Sequence, residues 1–119
     1  MYNSKKKFEK KILLLSPYSE DYNYFLNYSK ENYSFKLFST VKDLYSFIKI
    51  NNLNYIILIS SKIEDVYYRD IIRNIQLISN NYKFIVYSKL ASVEEVSSAI
   101  QIGVYHFSVG ENFYFDVIS

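Results

Sequence analysis

The amino-acid sequence predicts an α/β domain built on one five-stranded parallel sheet with helices on both faces. Short apolar runs alternate with segments of helical period from Lys11 to Val109, which gives the order (βα)₄β. Several runs are apolar at nearly every position, as in Asn54-Tyr-Ile-Ile-Leu-Ile-Ser-Ser61, and such strands belong inside a parallel sheet covered twice. The links between runs and helical segments are short, so consecutive elements pack as neighbours.

Lys11-Ile-Leu-Leu-Leu-Ser16 is the first buried strand. Ser16-Pro17 suits an N-cap followed by the first helical position, so a helix is expected from there through about Glu31. Its inner face is read from Tyr22, Phe25, Leu26 and Ser29, spaced i, i+3, i+4 and i+7. Ser34-Phe-Lys-Leu-Phe38 alternates apolar with polar and suits an edge strand. Thr40-Val-Lys-Asp43 reads as a capped helix start, with Val41, Leu44, Tyr45 and Ile48 as the inner stripe. The run through Ser60 is the central strand, and Tyr68, Ile71, Ile72 and Ile75 mark a third helix.

Tyr82-Lys-Phe-Ile-Val-Tyr87 is the fourth strand, ending at Ser88. Ser92-Val-Glu-Glu95 is a capping box, Val96, Ala99 and Ile100 the inner face behind it, and Gly103 the stop. Tyr105-His-Phe-Ser-Val109 closes the sheet, with Tyr105 and Phe107 expected inward. Glu111 to Ser119 reads as the opening turns of a fifth helix, with Phe113, Val117 and Ile118 facing in. That helix is shorter than average, so the chain is either cut from a larger protein or stunted in its last element. Residues 1–10 form a basic tail and residues 11–119 one domain.

Composition removes several functions. Cysteine is absent, which excludes disulfides and thiol catalysis, and the single histidine, His106, makes no His-rich metal site. Two glycines cannot build a phosphate-cradling loop. No apolar run approaches the ~18 residues of a membrane span, and no signal-peptide core follows Met1-Tyr-Asn-Ser-Lys-Lys-Lys, so a cytoplasmic location without membrane contact is expected. Lys5, Lys6, Lys7, Lys10 and Lys11 against Glu9 give the first eleven residues +4, which leaves −2 of the overall +2 for the rest. A slightly acidic body is a poor nucleic-acid surface.

Five parallel strands in this rhythm resemble the receiver domain of bacterial response regulators, the CheY-like member of the doubly wound flavodoxin-like folds. The most distinctive piece is Ser92 to Val109, SVEEVSSAIQIGVYHFSV. It is similar to the receiver's fourth helix, Gly-Ala corner and fifth strand, with Val104 where Ala is usual. The resemblance covers about residues 10–115 and implies the strand order 2-1-3-4-5.

In a working receiver, two acids after strand one help hold Mg²⁺, and an Asp ending strand three accepts the phosphoryl group. A Ser or Thr ends strand four, and a Lys follows strand five. Carried onto this chain, the acid pair falls at Ser16 and Pro17, the acceptor at Ser60, the hydroxyl at Ser88 and the lysine at Gly110. The aromatic switch position falls at Phe107. Mg²⁺ takes hard anionic oxygens, and Ser16, Pro17 and Ser60 supply no carboxylate. Phosphoryl transfer needs charge neutralisation, and Gly110 supplies no cation. A serine is a weak nucleophile without an adjacent base, and none is visible beside Ser60.

The resemblance therefore implies a pseudo-receiver, a regulatory protein-interaction module of bacterial signalling or transcription control. It needs no cofactor or metal and is not an enzyme. In receivers the fourth helix, fifth strand and fifth helix meet partners, and here those elements carry Val93, Tyr105, Phe113 and Phe115. The expected partner is another protein, a parent effector domain or a second copy. The alternative is a small ligand-binding or enzymatic domain on the same scaffold, with an anion site at the Ser16/Ser60/Ser88 strand tips flanked by Ser61, Lys62 and Lys89. Blander readings stand beside each candidate. Ser60 and Ser61 suit a strand end that caps the next segment, and Glu64, Asp65 and Asp70 suit a solvated first turn. His106 suits an exposed structural imidazole, and Tyr22, Tyr24, Tyr67 and Tyr68 suit amphipathic surface and core filling.

Overall fold

The computed structural model describes residues 10–28, 33–51, 55–61, 63, 67–79 and 81–110. Its elements are β1 (Lys10–Leu15), α1 (Ser19–Tyr28), β2 (Tyr33–Phe38), α2 (Val41–Ile50), β3 (Ile56–Ser60), α3 (Tyr68–Ile78), β4 (Lys83–Ser88), α4 (Val93–Gln101) and β5 (Val104–Val109). The strands form one sheet in the order β2-β1-β3-β4-β5, and every pairing is parallel. This is the parallel sheet covered on both faces that the order of runs and helices predicts, in the strand order that the resemblance to receiver domains implies.

Strand alternation splits the core in two. Leu13, Leu15, Ile57, Ile59, Phe84 and Val86 pack with Leu44 and Ile48 of α2, Ile71, Ile72 and Ile75 of α3, and Ala99 of α4. Ile12, Leu14, Leu58, Ile85 and Tyr87 form the opposite layer with Phe25 of α1. Ile71, Ile72 and Ile75 of α3 are fully buried, each contributing roughly 1.5–3 kcal/mol of transfer free energy. Local chemistry agrees with this packing. Thr40 caps α2 by accepting from the Asp43 amide at 3.2 Å, and Ser92 caps α4 by accepting from the Glu95 amide at 3.0 Å. Gly103 follows α4 at φ +107°, a conformation that costs a side-chain-bearing residue.

Four expectations are corrected. α1 begins at Ser19 rather than at Ser16-Pro17, because the Ser16 hydroxyl is bonded elsewhere. The inner face of α1 is Asp21 and Phe25, with Tyr22 half-buried against the same core and Leu26 46% exposed, and Asp21 faces inward because the Ser16 and Tyr87 hydroxyls donate to it. On α4 only Ala99 is buried, Val96 is half-buried and Ile100 is exposed, because the helix meets the sheet along a narrow stripe centred on a small side chain. On β5 the register shifts, Phe84 facing Val104 and Ile85 facing His106. Tyr105 is the extra residue of this bulge, so Tyr105 and His106 both point outward while Phe107 returns to the core. Phe113, Phe115, Val117 and Ile118, together with Ser29, lie outside the described residues.

Candidate functional site at the strand tips

Ser16 directly follows β1, Ser60 ends β3, Ser88 ends β4 and Gly110 directly follows β5. Ser16, Ser60 and Ser88 are all buried, and Pro17 and Gly110 are half-buried. Backbone hydrogen bonds tie the tips together. The Ser16 amide donates to the Phe38 carbonyl at 3.1 Å, the Ser61 amide to Tyr87 at 3.0 Å, and the Gly110 amide to Ser88 at 3.1 Å.

The side chains divide between the two faces. Ser16 and Ser60 lie on the α1 side, where both meet Tyr87. Alternation puts Ser88 on the other side with Val86, and its hydroxyl donates to the Leu90 carbonyl at 2.6 Å. The three serines therefore do not line one cradle. Lys62, Glu64 and Asp65 lie outside the described residues, while Lys89, Asp70 and His106 are exposed. Among the described residues no three His, Cys, Asp or Glu side chains gather as a metal site.

A carboxylate does reach the tips, contrary to expectation, and it comes from a helix. Asp21, 7% exposed in the first turn of α1, accepts on Oδ2 from the Ser16 hydroxyl at 2.7 Å and from the Tyr87 hydroxyl at 2.7 Å. The Ser16 oxygen in turn accepts from the Tyr18 amide at 3.1 Å. Burial and then the Asp21 charge push the Tyr87 phenol well above its ordinary range, while hydrogen bonds with the Ser16 and Ser60 hydroxyls pull the other way. An acid in a first helical turn reads by default as a solvated partner of the helix dipole, which hid Asp21 in the sequence. Its spacing was the available signal. Asp21 stands four residues before Phe25, on the same helical face as the buried ring.

On the opposite face Phe107 is 8% exposed and sits edge-on to Tyr68, with ring centroids 6.0 Å apart. The Tyr68 hydroxyl donates to Glu95 Oε2 at 3.5 Å. Burial, followed by the Glu95 charge, raises the Tyr68 phenol to about 12. Arg69 donates to Ser98 and to the Tyr67 hydroxyl and covers the Tyr67 ring at 4.9 Å, so α3 and α4 are held by polar as well as apolar contacts.

No family model matches the chain, and no curated protein matches its sequence. Solved structures do match. A signal receiver domain from Vibrio parahaemolyticus aligns with a TM-score of 0.81 at 20% identity, covering 92% of this chain and 84% of that one. The receiver domain of the Francisella response regulator 1452 aligns at 0.79 and 17% identity, over 92% and 91% of the two chains. The beryllofluoride-activated NtrC4 receiver domain dimer aligns at 0.73 and 19%, over 92% and 98%. At these identities the likeness is one of fold, and the fold is that of a response-regulator receiver domain.

Proposed function

We propose that this domain is a phosphorylation-independent pseudo-receiver, a regulatory protein-interaction module of bacterial signalling or transcription control, cytoplasmic and not an enzyme. One observation carries the reading. The sheet has the receiver strand order, and Ser16, Pro17, Ser60, Ser88 and Gly110, onto which the resemblance carries the receiver's reactive positions, are all uncharged. Mg²⁺ binding and phosphoryl transfer both depend on charges at those positions. Asp21 does not replace them, because its Oδ2 already accepts two hydroxyl protons and is a poor base for a third.

The alternative, an anion site among Ser16, Ser60 and Ser88, is disfavoured on the same geometry. A buried carboxylate 2.7 Å from Ser16 repels an anion, and Ser88 belongs to the other face. Nucleic acid is disfavoured as well, since the excess positive charge lies within the first eleven residues.

Partners are assigned to the α4–β5 side. Leu90, Val93 and Tyr105 are 86%, 79% and 66% exposed there, and Phe113 and Phe115 follow in sequence. Exposed apolar and aromatic groups are favoured at interface centres. A second copy of the chain or a parent effector domain would use this side, and a neighbour of the same fold is described as a receiver domain dimer. Sedimentation of wild type and Val93→Asp tests the assignment. A concentration-dependent dimer that Val93→Asp abolishes at unchanged melting temperature supports it. Equal loss of stability and no change in sedimentation would count against it.

A further inference from the structure

We infer that Tyr87 is a tethered plug of the strand-tip cleft: its hydroxyl takes the place of a bound ligand between β1, β3 and α1 and keeps small ligands out.

In an open α/β sheet ligands settle outside the carboxyl ends of the strands, where the strand order reverses. In the order β2-β1-β3-β4-β5 that point lies between β1 and β3, whose ends carry Ser16 and Ser60. Tyr87 comes from the next strand, in register opposite Ser60. Its ring lies under α1, edge-on to Phe25 with centroids 5.5 Å apart, and it is 3% exposed. Its hydroxyl donates to Asp21 of α1 at 2.7 Å, on the same carboxylate oxygen that Ser16 donates to, and the Ser60 hydroxyl lies beside it. One phenol oxygen thus meets polar groups from all three elements that flank the crevice.

The chemistry is that of a ligand held by its own chain. The ring fills apolar volume against Phe25, while the hydroxyl supplies a donor to a buried carboxylate that would otherwise be costly to desolvate. Asp21 and Tyr87 each make the other tolerable in the interior. A cleft filled this way leaves protein surfaces as the route for regulation. The inference goes beyond the interaction reading and is tested without phosphoryl transfer, so either can fail alone.

The test is chemical complementation of Tyr87→Gly in the full chain, with phenol and toluene as probes. The variant should melt below wild type. Phenol should raise its melting temperature progressively with concentration, and more than toluene at the same free concentration, as expected for a ligand that binds the folded state. Toluene matching or exceeding phenol, or no response to either, would overturn the plug. Should Tyr87→Gly not fold, Tyr87→Phe keeps the ring and supplies the same test. It should lower the melting temperature when Asp21 is present and lower it less in an Asp21→Leu background, where the hydroxyl has lost that acceptor. Tyr87→Phe melting like wild type in the presence of Asp21 would overturn the plug as well.

Discussion

Asp21 and Tyr87, 66 positions apart in the chain, share a buried hydrogen bond of 2.7 Å, and Ser16 donates to the same carboxylate oxygen. Removing the acceptor takes a hydrogen-bond partner from two buried hydroxyls at once. Asp21→Ala should therefore cost roughly 2–6 kcal/mol, given about 1–3 kcal/mol for each of the two buried hydroxyls. Asp21→Asn keeps an acceptor oxygen and should cost less. Urea midpoints at constant slope measure both, and equal midpoints for Asp21→Ala and wild type would show that the cluster contributes no stability.

Tyr82 supplies the opposite case. Its hydroxyl is buried without a hydrogen-bond partner among the described residues, and its ring stacks on Tyr55 at 6.4 Å and 9°. Tyr82→Phe removes the polar atom and keeps the ring. The variant should be as stable as wild type or up to about 1 kcal/mol more stable. A loss of that size in urea unfolding would reveal a partner for the hydroxyl.

Alkaline pH should loosen the fold. Tyr68 is raised from 10.0 to about 12 by burial and Glu95, and Tyr87 is raised as well. A raised phenol binds its proton more tightly folded than unfolded. Its contribution is full below pH 10.0, falls as the unfolded state ionises, and is gone once pH passes the folded value near 12. Melting temperature should thus decline between pH 10 and 12, and Tyr68→Phe should decline less steeply. Identical slopes for the two proteins would remove Tyr68 from this account.

Two glycines at positive φ should respond differently. Gly103 has φ +107°, and an added Cβ would stand 2.9 Å from Gln76 Nε2, which donates to the Ile102 carbonyl at 3.0 Å. Gly110 has φ +109° and open space around it. Each Ala substitution carries a backbone cost of about 1–2 kcal/mol. Gly103→Ala should lose more, because Gln76 must also give up its bond, and equal losses would mean that Gln76 moves freely.

The α/β architecture was legible because buried parallel strands are written as apolar runs, and the third helix because Tyr68, Ile71, Ile72 and Ile75 repeat on one face. The caps at Thr40 and Ser92 and the stop at Gly103 were equally plain, since each is a local rule that tertiary contacts did not override. The site was less so. In the sequence Ser16, Ser60 and Ser88 form one row of strand tips, but strand parity separates Ser88 from the other two. Asp21 was passed over because its role depends on a tyrosine far away in sequence, and local spacing carries little trace of such a pairing. Period two puts Tyr105 inward, but it holds only until a bulge inserts a residue, and this bulge depends on pairing with β4.

The most direct measurement is intact-protein mass after incubation of the wild-type chain with acetyl phosphate and Mg²⁺. Uncharged residues at the five positions proposed as reactive predict an unmodified mass, with Ser60 unphosphorylated. A stable gain of one phosphoryl group, mapped to Ser60 and dependent on Mg²⁺, would contradict a phosphorylation-independent receiver.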